Sequence, residues 1–142
     1  MKRLFGGLFA ERGTKDHAAG SAPDARNAKG RRLSLSQLPA RCYAIGDARG
    51  CLPLYRALEA RIVADARAAN DETPGLIVVL GDVVDRGPHS AQLVEHLMRP
   101  APAPFTRVVL KGNHEQMMVK FAQDPASALN WLTYGGIQTL AS

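Results

Sequence analysis

Three apolar runs punctuate the chain: Tyr43-Ala44-Ile45, Leu76 to Leu80, and Phe105 to Leu110. Each is followed within two residues by a glycine, Gly46, Gly81 or Gly112, and then by Asp47, Asp82 or Asn113. A short continuous apolar run suits a strand buried on both faces of a parallel sheet, and a glycine lets the backbone turn sharply as it leaves. Between the runs the period changes to that of a helix. Pro53 fits a first turn, and Leu54, Leu58, Ile62 and Val63 recur at three- and four-residue steps. Asn70 to Gly75 reads as the loop that returns the chain to the second strand. Ser90 is placed to cap a second helix with Leu93, Val94, Leu97 and Met98 toward the sheet, and Pro100 to Pro104 ends it. A third helix opens at His114 and buries some of Met117, Met118, Val119 and Phe121. Asp124-Pro125 starts a fourth that runs through Trp131 and Leu132 and stops at Gly135-Gly136. The motif positions recur at roughly 30 residues, the length of a βαβ unit. The fold class is therefore α/β, with three mostly parallel βα units.

Parallel strands direct their carboxyl ends to one edge of the sheet, which is where ligands bind in open α/β folds. Asp47, Asp82 and Asn113 would meet there, with Asp85, Arg86 and His114 close by. Carboxylate and amide oxygens suit hard divalent cations, and a histidine among them admits Fe or Zn. Each residue alone has a plainer reading. An Asp after a strand-ending glycine is commonly a turn former or helix cap, and a lone histidine is more often a first-turn helix residue than a catalyst.

Composition refines this picture. With 142 residues and 46% hydrophobic content, the chain has room for one domain of modest core. The net charge of +5 is unevenly placed. Residues 1–41 hold nine Lys/Arg against three acidic residues, so the basic character belongs to an arm and not to the domain. Residues 1–37 read as a basic disordered arm rich in Gly, Ala and Ser, most simply a solvated linker, so nucleic-acid binding is not expected. The apolar stretch Leu4 to Ala10 is too short to span a membrane and is a poor secretory signal, and no membrane partner is expected. A cytoplasmic protein is the expectation, and Cys42 and Cys51 fit it as free thiols.

Gly46-Asp47-Ala48-Arg49-Gly50, Gly81-Asp82-Val83-Val84-Asp85-Arg86-Gly87 and Gly112-Asn113-His114-Glu115 resemble the three signature blocks of the calcineurin-like metallophosphoesterases, GDxHG, GDxVDRG and GNHE. The branch they resemble is the bacterial phosphoprotein phosphatase and symmetrical diadenosine-tetraphosphatase group. The resemblance covers residues 38–142. It implies the amino-terminal half of a β-sandwich flanked by helices, and hydrolysis of phosphomonoesters or dinucleoside polyphosphates at a centre of two divalent ions, Mn, Fe, Zn or Mg. Asp47, Asp82 and Asn113 would be metal ligands, His114 the proton donor to the leaving group, Asp85 its orienting partner, and Arg86 a phosphate ligand. A phosphorylated protein or nucleotide would be the substrate.

Two departures stand against full activity. Arg49 replaces the histidine of GDxHG, and a guanidinium has no lone pair for a metal. The family's remaining histidine ligands, and its second sheet, come from a carboxyl-terminal half, whereas no histidine follows His114 here and His89 and His96 match no ligand position. The expectation is a domain truncated at its carboxyl end, with association through exposed apolar surface; a catalytically impaired relative acting as a binding module is the alternative. Arg49 itself stands near enough to Asp47 and Asp82 to serve as their counter-ion, or else points into solvent.

Overall fold

The computed structural model describes residues 39–69 and 73–142. The arm, residues 1–37, and most of the first loop, residues 70–72, lie outside them. Strands β1 (Cys42–Ile45), β2 (Gly75–Val79) and β3 (Phe105–Val109) form one parallel sheet in the order β1-β2-β3. In register, Tyr43 faces Ile77 and Ile77 faces Arg107, with Ile45, Val79 and Val109 aligned two residues on. Helix α1 (Leu52–Ala68) crosses from β1 to β2 and α2 (Ser90–Met98) from β2 to β3. Sequential strand order with right-handed crossovers puts both helices on one face of the sheet. Helix α3 (Asn113–Gln123) follows β3, and after a short turn at Pro125–Ser127 a helical segment, Leu132–Gly136, leads into the helix α4 (Ile137–Ala141). None of the helices among the described residues is long and apolar enough to cross a membrane.

The helix-covered face carries Tyr43, Ile45, Ile77 and Val79 into a core shared with Leu52, Ile62, Leu93, Val94, Leu97, Met118 and Trp131. Positions of opposite parity are barer, apart from the buried Leu76 of the central strand. Cys42, Ala44 and Thr106 are exposed, Val78 and Val108 half-buried, and Leu80 and Leu110 stand out at the strand ends.

Several local expectations are corrected. Leu54 and Leu58 do not face the core: they are 71% and 40% exposed, and α1 buries Leu52, Tyr55, Glu59, Ile62 and Ala66 instead. The reason is a polar cluster that the apolar period cannot reveal. Arg107 on β3 pairs with the Glu59 carboxylate and donates to the carbonyls of His96, Leu97 and Arg99, closing the carboxyl end of α2. His96 also meets Glu59, at 2.8 Å. Burial of these charges is tolerable because each has a partner, and the pairing rotates α1 so that Tyr55 and Glu59 point inward. Met98, likewise expected inward, is half-exposed at the end of α2. Ser90 does not cap α2 but is its buried first residue, and its hydroxyl accepts the Asp85 N–H at 3.1 Å.

Gly135-Gly136 does not stop the last helix. Gly135 adopts φ 111°, a kink after which the helix resumes at Ile137. Its carbonyl accepts the Arg86 N–H at 3.1 Å, and a Cβ there would come within 2.7 Å of the Arg86 backbone nitrogen. The kink thus seats the end of the chain against the loop after β2.

Candidate functional site

Among the described residues, five that are not glycine have positive φ: Asp47 (45°), Arg49 (40°), Asp82 (52°), Asp85 (73°) and Arg86 (65°). All lie in the loops after β1 and β2. Left-handed backbone costs an L-residue on the order of 1–2 kcal/mol, so it persists only where the surroundings fix it. The fixing bonds are visible. Arg49 donates its backbone N–H to the Asp82 carbonyl at 3.0 Å, and Gly50 donates to the Val83 carbonyl at 2.7 Å, which ties the two loops together. The third loop is pressed against the second. A Cβ on Gly112 would lie 2.6 Å from the Asp82 nitrogen, so only glycine permits this approach.

Glu115 locks the arrangement from the first turn of α3. Its carboxylate accepts N–H bonds from Asp82 (2.8 Å), Val83 (2.7 Å), Val84 (3.2 Å) and Gly112 (2.8 Å). Sequence reasoning assigned Glu115 no role, although a glutamate three residues after a helix-starting glycine is a recognisable capping position. The Asp82 carboxylate in turn accepts the His114 N–H at 3.1 Å, a favourable place for an anion at a helix amino end.

The expected residues are brought together with one exception. Asp47, Asp82, Asp85, Asn113 and His114 converge at the carboxyl edge of the sheet, whereas Arg86 is exposed and its side chain makes no hydrogen bond among the described residues. Asp85 is fully buried. Its Oδ2 accepts from His114 Nδ1 at 2.6 Å and Trp131 Nε1 at 2.7 Å, and its Oδ1 from the Thr139 hydroxyl at 2.7 Å. Trp131 and Thr139 lie more than forty residues downstream of Asp85, too distant for a local pattern to announce them.

Arg49 points inward. Its Nη2 lies 3.0 Å from Asp47 Oδ2 and 3.2 Å from Asp82 Oδ2, its Nε 3.3 Å from Asp47 Oδ2, and its Nη1 2.6 Å from His114 Nε2. The side chain is 19% exposed, against 69% for Asp47. A guanidinium only donates, so His114 Nε2 accepts and the imidazole proton sits on Nδ1, directed at Asp85.

Residues 40–141 match the calcineurin-like phosphoesterases. The chain belongs to that family. Its members are metal-dependent phosphoesterases, and at that level the chain is a hydrolase-type domain. Neither a curated protein nor a solved structure matches it.

The family implies divalent metal, and the residues present do not fit a two-metal centre as arranged. Oδ2 of Asp47 and Oδ2 of Asp82 already share a guanidinium nitrogen. The surroundings of Asn113 orient its amide with nitrogen toward Asp82, 3.1 Å from Oδ2, so it presents a donor where a metal would need the carbonyl oxygen. Among the described residues no three His, Cys, Asp or Glu side chains are grouped so as to hold a metal ion.

Proposed function

We propose that the chain is a phosphoesterase of the phosphoprotein-phosphatase type, taking phosphomonoesters or dinucleoside polyphosphates at this sheet edge. A phosphorylated protein or nucleotide would be its substrate, and manganese is the metal to try first. The observation that carries this reading is the Asp85-His114 contact of 2.6 Å beside Asp82 and Asn113. A buried carboxylate on Nδ1 fixes both the tautomer and the plane of the ring and leaves Nε2 as the atom that faces a ligand.

The Arg49 guanidinium favours a second reading, a catalytically impaired member that binds without turnover. With Nη1 of Arg49 on Nε2, that nitrogen carries no proton to give a leaving group. Assay of the full chain on an aryl phosphate and a diadenosine polyphosphate, with and without Mn²⁺, separates the two. Turnover that His114→Ala abolishes is the result expected of the first reading. Background rates in the parent and in Arg49→His alike are expected of the second, because the substitution adds one histidine to an edge where the described residues group no three His, Cys, Asp or Glu side chains around a metal position.

A further inference from the structure

We propose that the Arg49 guanidinium is the resident cation of this sheet edge and competes with divalent metal for the same oxygens. The inference rests on reading this edge as the family's metal and phosphoester site. Four of its five N–H bonds' worth of donor geometry is engaged by three acceptors, Asp47 Oδ2, Asp82 Oδ2 and His114 Nε2. These acceptors come from the loops after β1 and β2 and from the first turn of α3. Without a cation between them, the carboxylates of Asp47 and Asp82 would repel each other. A planar fork spans three acceptors in a way that a lysine ammonium, a point charge on a flexible stem, does not reproduce.

The position is built and not casual. Arg49 accepts a left-handed φ of 40°, and its backbone N–H is anchored to the Asp82 carbonyl, so the loop aims the side chain back over the residue it neutralises. The Asp82 carboxylate is 14% exposed and its remaining capacity is taken by the His114 N–H and the Asn113 amide. Asp47 Oδ2 and both Asp82 carboxylate oxygens are therefore already engaged by donors of this chain, which leaves Asp47 Oδ1 as the one oxygen of the two carboxylates without such a donor among the described residues. Metal entry requires the guanidinium to leave, and whatever free energy holds Arg49 in place is subtracted from metal affinity, by linkage.

The test compares the full-length parent with Arg49→Met and Arg49→Lys, reading metal-free Tm and Mn²⁺ affinity by calorimetry, neither of which depends on turnover. A chelator should leave the parent's Tm unchanged, and Mn²⁺ should barely raise it. Arg49→Met should melt several degrees lower without metal and bind Mn²⁺ at least about tenfold more tightly, a difference that saturating Mn²⁺ converts into a rise in Tm. Adding Asp47→Asn to Arg49→Met should recover part of the lost Tm by removing the repulsion. If Arg49→Met does not fold, Arg49→Lys decides, with tighter Mn²⁺ binding than the parent expected. Equal Mn²⁺ affinity in parent and variants, or an unchanged metal-free Tm in Arg49→Met, overturns the proposal. Absent phosphoesterase activity with these shifts present would remove the functional reading and leave the competition standing.

Discussion

The Glu115 carboxylate lies 2.7 Å from the backbone nitrogen of Val83, joining the first turn of α3 to the loop after β2. Glu115 is 1% exposed and accepts four backbone N–H groups, three of them from consecutive residues of that loop. Stranding buried donors costs about 1–3 kcal/mol each, although relaxation and water recover part of it. Glu115→Ala is expected to lose at least about 3 kcal/mol by denaturant titration, and Glu115→Gln less, since it keeps one acceptor oxygen. A loss under 1 kcal/mol for the alanine variant would mean the loop holds its shape without this clamp.

The strands were legible because each apolar run is short and is followed within two residues by glycine, and their observed bounds differ from the expected ones by at most one residue at either end. Helix faces were less so. Leu54 and Leu58 carry the same four-residue step as the buried stripe, and only the partnering of Glu59 by Arg107, 48 residues away, decides which side turns inward. At the edge of the sheet, motif spacing brought out the residues with charge or metal-type oxygens. It could not supply Trp131 and Thr139, which lie 46 and 54 residues downstream of Asp85, the latter beyond the kink at Gly135, or the inward aim of Arg49, which depends on a backbone conformation that its residue type disfavours.

Alkaline stability should report on the cluster behind the sheet. Burial, the main cause, pushes the Tyr55 phenol up from 10.0 to about 12, with Glu59 adding to the rise and Arg107 opposing it. The folded chain thus favours the protonated phenol, while the unfolded chain ionises near 10.0. Stability from this residue is complete below about pH 10 and is lost as pH rises toward about 12. Tyr55→Phe cannot ionise, so its Tm should fall less steeply than the parent's across that window. At neutral pH the two should agree within about 1 kcal/mol, since the hydroxyl's bond to Glu59 is long, 3.5 Å. Parallel Tm profiles up to pH 12 would count against a buried phenol.

Asp85 offers the sharpest separation of scaffold from site. Both carboxylate oxygens are acceptors in a fully buried setting, Oδ2 for His114 and Trp131 and Oδ1 for Thr139. Asp85→Asn can keep its oxygen toward His114 and Trp131 and turn its nitrogen to the Thr139 hydroxyl, which can pass its own proton to Ser90 Oγ at 3.1 Å. The amide therefore loses charge assistance but few partners, and a cost of about 1–3 kcal/mol is expected. Asp85→Ala leaves the Trp131 and His114 donors without an acceptor, and about 3–5 kcal/mol is expected. Trp131 is the sole tryptophan, so its emission reads the change directly. In Asp85→Asn the band should shift modestly in a still cooperative fold, whereas in Asp85→Ala intensity and position should both change and unfolding should begin earlier in denaturant. An alanine variant with unaltered emission and stability would show that the indole does not depend on Asp85, and the network that seats the end of the chain against the loop after β2 would have to be held by the Gly135 kink alone.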